Sequence, residues 1–254
     1  MITKAETDMK IYPIHLTVHD TPELLGKAAA AEAAATLCEA ISRNGHARVL
    51  LAAAPSQLPT LSALAGQDVD FTKVTFFHMD DYLGLSPDAP QGFGNWLQRS
   101  FIQNLPSGTS FMRMNPQLEA SEAARLYAQQ IGAAPFDLTL CGLGVNAHLA
   151  FNEPGAHLND PQSVRVIVLD NISRQQQVDE GHFANLEDVP THALTVTIPR
   201  LLNAGHVICS VTGVAKRHAV QATLSQEPNS AVPGTALKLH PRVDLHIDKE
   251  AQDE

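Results

Sequence analysis

Short apolar runs alternate with helix-like segments along most of this 254-residue chain. Runs of this kind, bounded by turn residues, are typical of buried strands. The pattern predicts strands at residues 14–18, 49–54, 74–78, 136–143, 164–169, 193–198, 207–211 and 243–247. It predicts helices at residues 22–43, 59–64, 93–105, 119–131, 199–203 and 214–225. The first helix has clear end signals, with Thr21 and Pro22 at its start and Gly45 after its last turn.

This alternation of strands and helices predicts an α/β fold. Strand–helix–strand units cross over with a right hand and place parallel strands side by side. We therefore expect a mainly parallel sheet that is covered by helices on both faces, which gives three layers. No repeat or composition break divides the sequence, so the prediction is a single domain over residues 1–254.

The charge balance limits the classes of partner. The formal net charge is −10, which argues against nucleic acid or an anionic membrane as a partner. A small anionic ligand is still allowed, because local donors can outweigh a global field. No apolar run approaches the roughly 20 residues that span a membrane, and residues 1–6 lack the apolar core of a signal peptide.

The three cysteines have no metal-type spacing. They are Cys38, Cys141 and Cys209, and two of them fall inside predicted buried strands. Reduced core thiols in a cytoplasmic protein are the favoured interpretation.

A histidine and a carboxylate follow directly after the strand at 136–143. The loop contains Asn146, His148 and Glu153, and ligands of open α/β sheets bind at the edge where such loops lie. An imidazole can shuttle a proton near neutral pH, and a neighbouring carboxylate can fix its tautomer. The alternative is a histidine that is merely hydrogen-bonded within a capped loop.

An acidic pair follows the strand at 74–78. We expect Asp80 or Asp81 to enter the site while the other holds the loop, because adjacent side chains point in different directions. A carboxylate in a partly dry pocket can act as a base toward a carbon acid. Alternatively, both only cap a turn. Metal ligation by His78, Asp80 and His148 is disfavoured, because no compact ligand motif accompanies them.

Two strand-to-helix junctions are candidates for binding an anion. Ser56 and Gln57 follow the strand at 49–54, and backbone N–H groups there could meet a phosphate. Lys216 opens the helix after the strand at 207–211, where its ammonium could pair with the same group. A solvated lysine is the alternative at that position.

Four segments in this order resemble the glucosamine-6-phosphate deaminase (isomerase) family. They are MDDYLGL, GLGVNAHLAFNEP, HALTVTIP and SVTGVAK, and the resemblance covers residues 21–248. The ending AFNEP is its most specific part, since the related 6-phosphogluconolactonases lack it. The resemblance implies a Rossmann-like sandwich that needs no metal, nucleotide or other cofactor. Homo-oligomers occur in the family, so a homo-oligomer is allowed here.

The resemblance also implies a reaction and a set of roles. Family members convert an amino-sugar 6-phosphate and water to fructose 6-phosphate (or the tagatose equivalent) and ammonia. Asp80 would move the proton between C2 and C1, and His148 would open the sugar ring. Glu153 and Asn146 would support that histidine. The implied substrate- and phosphate-binding residues are Ser56, Gln57, Asp81, Gly144, Arg174 and Lys216.

Three positions depart from the family's pattern. Asn146 replaces the usual Asp of an Asp-Gly-His triplet; its amide can still hydrogen-bond the imidazole but carries no charge. The turn at 52–56 is Ala-Ala-Ala-Pro-Ser instead of glycine-rich, which restricts the approach of a phosphate to the backbone. The lid arginine falls near Gln177, with Arg174 as a substitute.

The polar run at 170–188 belongs to a candidate lid at 158–189, although an ordinary surface helix and loop is equally compatible. Two other functions stay open: a 6-phosphogluconolactonase-type hydrolase and a non-catalytic sugar-phosphate-binding regulator.

Overall fold

A computed structural model describes residues 10–179 and 181–252, and within them the chain forms a large parallel sheet and a small antiparallel one. The strands are β1 His15–His19, β2 Ala47–Leu51, β3 Val74–His78, β4 Asp80–Tyr82, β5 Ser110–Met112, β6 Leu138–Cys141, β7 Val164–Val168, β8 His192–Val196, β9 Val207–Val211 and β10 Val243–Asp248. The α-helices are α1 Pro22–Asn44, α2 Leu58–Ala65, α3 Phe93–Ser100, α4 Ala120–Ile131, α5 Asn171–Asp179, α6 Ile198–Leu201 and α7 Arg217–Ser225. The 3-10 helices are Pro55–Gln57, Phe71–Lys73, Ile102–Asn104, Leu186–Asp188, Val214–Lys216 and Pro233–Leu239.

The large sheet confirms the predicted Rossmann-like α/β fold. In the part of the chain that the structure describes, it has seven strands in the order β1-β10-β9-β6-β2-β3-β5, and every neighbouring pair is parallel. Alternate residues of β2 enter separate cores: Val49 and Leu51 pack with α1 and α2, whereas Leu50 packs with α4. The sheet therefore lies between two apolar layers, because its central strands are buried on both faces.

The small sheet was not predicted from the sequence. It has the order β4-β8-β7 and both of its pairings are antiparallel. The segments of β7 and β8 were correctly predicted as strands, but β4 was missed. The three residues of β4 (Asp-Asp-Tyr) are too few and too polar to show a hydrophobic period. The equally short edge strand β5 was missed for the same lack of pattern.

The first helix begins and ends as its sequence predicts. The Thr21 hydroxyl accepts a hydrogen bond from the Leu24 N–H at 3.2 Å, and Gly45 closes the helix with a φ of 77°. Gly26 permits close packing on α2, since a Cβ there would lie 2.4 Å from the Pro59 carbonyl carbon. This contact fixes α2 and the turn that precedes it, which lines the candidate site.

Other element boundaries differ from the prediction by a few residues. The helix predicted at 93–105 ends at Ser100 and continues as the 3-10 helix Ile102–Asn104. The strand predicted at 136–143 is shorter, and its last predicted residues already belong to the loop that carries His148. In the described residues no helix is both long and apolar enough to cross a membrane. Residues 1–6, to which the signal-peptide prediction refers, lie outside the described residues.

Candidate active site

A cavity of about 280 Å³ opens at the carboxyl ends of β2, β3, β6 and β9. This is the edge at which parallel α/β sheets bind ligands. Six of the residues proposed from the sequence line it: Ser56, Gln57, Asp80, Gly144, His148 and Lys216. Asn146 and Glu153 lie behind His148, whereas Asp81 and Arg174 have other contacts, described below. Chain segments that are distant in sequence therefore meet around one cavity.

The ring of His148 packs directly over a glycine. The Gly144 N–H donates to the His148 carbonyl oxygen at 3.0 Å. A Cβ at Gly144 would lie only 2.2 Å from the His148 Cε1 atom, which is far inside van der Waals contact. The glycine is therefore required here for the close approach of the imidazole, rather than for an unusual backbone angle.

Glu153 and Ser173 hold one nitrogen of that imidazole. The His148 Nδ1 atom lies 3.4 Å from Glu153 Oε2 and 3.2 Å from the Ser173 hydroxyl. A carboxylate at Nδ1 favours the tautomer that carries its proton there. The other ring nitrogen, Nε2, is then the one that can exchange a proton with a ligand in the cavity.

Asn146 supports this pair from behind, and its contacts correct one detail of the prediction. Its amide nitrogen donates to Glu153 Oε2 at 2.9 Å, and its Oδ1 accepts from the backbone N–H of His148 at 3.2 Å. The side chain thus bonds the carboxylate and the loop backbone, not the imidazole. Burial opposes ionisation of Glu153, but the His148 hydrogen bond and charge, with those of Ser173 and Asn146, lower the pKa of Glu153 to about 2.

The next residues of the loop are fixed to β8. The Phe151 N–H donates to the Thr195 hydroxyl at 3.1 Å. The Asn152 amide donates to the carbonyl oxygens of Leu149 at 2.7 Å and Val196 at 2.8 Å. These bonds explain the Phe-Asn-Glu order: the asparagine anchors the loop, and Glu153 then lies at the histidine.

An aromatic cluster supports the same loop on its apolar side. The Phe151 ring stacks on Phe93 with 5.5 Å between centroids, and Tyr82 contacts both rings. Phe183 packs edge-on against Tyr82 at 5.3 Å. Phe93 and Phe151 also line the cavity, so the cluster forms an apolar wall beside the polar groups.

Asp80 is a buried carboxyl group that opens into the cavity. It is the first residue of β4, opposite Thr195 of β8, and is 6% exposed. Burial raises its pKa well above the usual value, and the nearby carboxylates of Asp81 and Glu153 raise it further. A carboxylate with a raised pKa is a better base than an exposed aspartate.

Asp81 caps a helix, which corrects its predicted role in substrate binding. Its carboxylate accepts hydrogen bonds from the backbone N–H groups of Tyr82 and Phe93 at 2.9 Å and of Gly94 at 3.0 Å. It therefore holds the start of α3 against β4. Of the two outcomes considered for the acidic pair, the structure has one carboxyl at the cavity and the other in the loop.

Both ring nitrogens of His78 are hydrogen-bonded to backbone groups. Its Nδ1 lies 2.9 Å from the carbonyl oxygen of Asp80, to which it donates, and its Nε2 accepts from the Met114 N–H at 2.8 Å. The ring is completely buried. The disfavoured metal set would need one of these nitrogens, and neither is available without breaking a backbone hydrogen bond.

Other polar groups of the cavity are suited to binding an anion. Lys216 reaches the cavity from the junction after β9, and Ser56 from the turn after β2. The Gln57 amide donates to the Ser210 carbonyl oxygen at 3.0 Å and to the Ser56 hydroxyl at 3.3 Å. Gly142 leaves room for that amide, since a Cβ there would lie 2.8 Å from Gln57 Nε2.

Arg174 does not line the cavity, contrary to the prediction. Its guanidinium donates to the carbonyl oxygens of Leu186 and Val189 and ties α5 to the following loop. Gln177 lines the cavity instead and is 4% exposed. Its Oε1 has no hydrogen-bond partner among the residues that the structure describes. Helix α5, inside the candidate lid at 158–189, therefore covers the cavity with amides and without an arginine.

The sequence matches the family described as glucosamine-6-phosphate isomerases/6-phosphogluconolactonase over residues 20–245. This chain belongs to that family. It is 30% identical to a glucosamine-6-phosphate deaminase of Streptococcus pneumoniae serotype 4 over 208 residues, which are 82% of this chain and 88% of that protein. It is 32% identical to a deaminase of Streptococcus sanguinis over 184 residues, which are 72% and 77% of the two chains.

Solved structures of the family share the fold. A monomeric glucosamine-6-phosphate deaminase superimposes with a TM-score of 0.84 at 27% identity, over 94% of this chain and 98% of that one. A 6-phosphogluconolactonase from Shewanella baltica superimposes with a TM-score of 0.78 at 19% identity, over 94% and 99%. The second likeness is evidence for the fold alone.

Two alanines of the loop around His148 have a left-handed backbone. Ala147 has a φ of 64° and Ala150 a φ of 51°. Both lie in the left-handed region, where a residue with a Cβ costs about 1 kcal/mol or more. The loop around His148 thus keeps a backbone suited to glycine while it carries alanine, and the surrounding contacts hold it in place.

Proposed function

We propose that the protein is an amino-sugar-phosphate isomerase and deaminase that converts glucosamine 6-phosphate, or a close relative, and water to fructose 6-phosphate and ammonia. The observation that carries the proposal is that Asp80 and His148 face one cavity and differ in chemistry. One is a buried carboxyl with a raised pKa, and the other is an imidazole held by a carboxylate. The substrate is a small sugar phosphate, and the setting is cytoplasmic.

The first step is ring opening at His148. The substrate's pyranose form has no carbonyl, so the anomeric hydroxyl must lose a proton while the ring oxygen gains one. Nε2 of His148 can perform both transfers, because Glu153 and Ser173 hold Nδ1. The product of this step is the open-chain amino aldehyde.

The second step is proton transfer between carbons by Asp80. The C2–H bond of the aldehyde is acidic because the electron pair it leaves enters the neighbouring carbonyl, which gives an enol. Asp80 takes that proton and returns it to C1. The amino nitrogen gives up one proton and the oxygen on C1 gains one, so that C2 becomes an imine and C1 a hydroxymethyl group. Water then adds to C2, and ammonia leaves to give the ketose phosphate. These steps use side chains and water.

The phosphate would lie between Ser56 and Lys216, with the amide of Gln57 beside it. Lys216 is 9% exposed, and an ammonium with little competing water attracts a dianion strongly. This grip fixes C1 and C2 relative to the two acid–base groups, which is where positioning contributes most to rate.

The test is a product assay with three substrates. Purified protein is incubated with glucosamine 6-phosphate, galactosamine 6-phosphate and 6-phosphogluconolactone, and ammonia, ketose phosphate and acid release are measured. We expect ammonia and ketose phosphate in equal amounts from one of the amino sugars. Lactone hydrolysis without ammonia would instead support the 6-phosphogluconolactonase alternative, which needs His148 to activate water but no carbon-acid base.

Asp80→Asn separates these activities. The variant should lose deamination by about 10³-fold or more, because the amide cannot accept the C2 proton. It should retain sugar-phosphate binding in calorimetry. Tight binding by a parent protein that turns over none of the three substrates would support the third possibility, a non-catalytic regulator.

A further inference from the structure

A cluster of histidines and carboxylates lies at the opposite edge of the large sheet from the cavity. His206 immediately precedes β9, and Asp244 is the second residue of β10. Both are near the amino ends of their strands, whereas the cavity lies beyond the carboxyl ends. Glu32 of α1 reaches the same place, and the ligand atoms of these three side chains all lie within 4.8 Å of one another.

We propose that Glu32, His206 and Asp244 bind a divalent cation of the zinc class. One imidazole and two carboxylates are a donor set that Zn²⁺ and Co²⁺ favour. The set has a charge of −2 when the imidazole is neutral, which one divalent ion balances. Ligands of such an ion lie about 3–3.5 Å apart, since each is about 2.0–2.2 Å from the metal. The three donors therefore need only small side-chain movements.

His206 is already oriented as a ligand. The Thr36 hydroxyl donates to the Glu32 carbonyl oxygen at 3.0 Å, one turn earlier in α1, so it accepts from His206 Nδ1 at 2.8 Å. The other ring nitrogen, Nε2, lies 2.5 Å from Asp244 Oδ2, so a proton bridges these two atoms, and a metal ion would displace that proton. A second hydrogen bond that fixes the tautomer is characteristic of metal-binding histidines.

The other two donors can adjust and are reachable from solvent. The side chains of Glu32 and Asp244 are 39% and 18% exposed, whereas that of His206 is 1% exposed. His246 Nε2 lies 3.3 Å from Glu32 Oε2, and His15 Nδ1 lies 2.8 Å from Asp244 Oδ1. Either imidazole, or a water, can supply a fourth ligand. A bound ion would connect α1, in the first fifth of the sequence, to β9 and β10, in its last fifth.

The experiment uses Co²⁺ as a spectroscopic probe. The full-length protein is treated with EDTA, dialysed and titrated with Co²⁺ while visible absorption is recorded, and Zn²⁺ is then added as a competitor. We expect one Co²⁺ per chain, displacement by Zn²⁺, and a melting temperature that rises with metal concentration because the ion binds the folded state. Absence of saturable binding, or no displacement by Zn²⁺, overturns the proposal.

Matched variants locate the ion. Glu32→Gln and Asp244→Asn should each weaken Co²⁺ binding by about tenfold or more. Glu39→Gln, an exposed residue of the same helix that pairs with Arg43, should leave the affinity unchanged. Metal-free melting curves establish that the variants fold. Unchanged affinity in both test variants, or a similar loss in Glu39→Gln, contradicts the assignment.

A variant of the cavity completes the test. His148→Gln should bind Co²⁺ with the affinity of the parent protein, because the two places are on opposite edges of the sheet. If that variant loses the ion instead, the metal binds in the catalytic cavity and the proposal is wrong. The metal site does not depend on the proposed deaminase activity, so either can fail without the other.

Discussion

At the scale of single residues, the chemistry of the site depends on how neighbouring side chains shift the pKa values of two carboxyl groups. Asp80 has carboxylates near it and little water, so its proton is held more tightly than usual. Glu153 has an imidazole, a hydroxyl and an amide around it, so its proton is held less tightly. The pKa values of two carboxyl groups of one site, one lining the cavity and the other behind His148, are thereby shifted in opposite directions, which is common in acid–base sites.

Asn146→Asp should move the acid limb of the pH–rate profile to higher pH. The amide now donates to Glu153 Oε2; an aspartate would remove that donor and place a like charge beside Glu153. Both changes raise the pKa of Glu153 from about 2, by about one unit or more. Activity that needs the Glu153 carboxylate is then lost at a less acidic pH. The check is kcat/KM measured from about pH 2 to about pH 7, a range that spans both pKa values, and an unchanged acid limb would contradict the contact.

Gly144→Ala should reduce kcat by about 100-fold with a small change in melting temperature. The added Cβ would lie 2.2 Å from the His148 ring, so the imidazole must move, and a displacement of about 1 Å is enough for such a loss. Gly66→Ala is the control, because its nearest atom would be 3.7 Å away. The measurements are steady-state kinetics and thermal melts of both variants. A wild-type kcat in Gly144→Ala would contradict the steric argument.

At the scale of elements, the sequence predicts what apolar patterns encode and misses what depends on long-range contacts. The strands β3 and β9 were predicted with their observed bounds, since buried apolar runs define them. The polar strand β4 forms only because β8 pairs with it, and no local sequence pattern predicts that pairing. Similarly, Ser173 reaches His148 from α5 across 25 positions, and nothing in its neighbourhood marks it as different from a surface serine.

For the candidate site as well, the sequence predicts the residues that local patterns mark and fails where a long-range contact decides. Asp80 and His148 were proposed because they follow buried strands, and the structure has both at the cavity. Arg174 was proposed from the family resemblance, as a substitute for the lid arginine. It lies in a polar segment, where one helical turn decides whether a side chain faces the cavity or the loop. In α5 the inward positions are Ser173, Gln176 and Gln177, and Arg174 lies between them in sequence but on another face.

Gln177→Arg should lower the KM for a sugar phosphate by about tenfold and leave kcat nearly unchanged. The side chain lines the cavity, and a guanidinium there adds a charge-assisted hydrogen bond to a phosphate, worth about 1.5 kcal/mol. Gln175→Arg is the matched control on the exposed face of the same helix. Steady-state kinetics at two salt concentrations test the effect, which should weaken with salt. An equal fall of KM in both variants would show a general charge effect and contradict the local contact.

At the scale of the whole molecule, the parallel sheet determines where each kind of chemistry lies. Loops from four strands converge at its carboxyl edge, so residues from Ser56 to Lys216 meet in one cavity. At the amino edge, α1 covers β9 and β10 and brings Glu32 to His206 and Asp244. Because apolar layers cover both faces of the sheet, polar clusters of this size lie at the ends of its strands.

Asp80→Asn should stabilise the whole protein while it abolishes deamination. A carboxyl whose pKa is higher in the folded state favours folding only when protonated, so stability falls as pH rises from the usual aspartate value to the raised one. The amide does not titrate, and it should increase the free energy of unfolding by about 1 kcal/mol at neutral pH, a common size for a change that removes a functional strain. The gain should vanish well below pH 3.8, the usual aspartate value, where Asp80 is protonated in both states. Urea unfolding of parent and variant at several pH values measures it. A variant that is less stable at every pH would give Asp80 a structural role and remove the physical basis for treating it as a strained catalytic base.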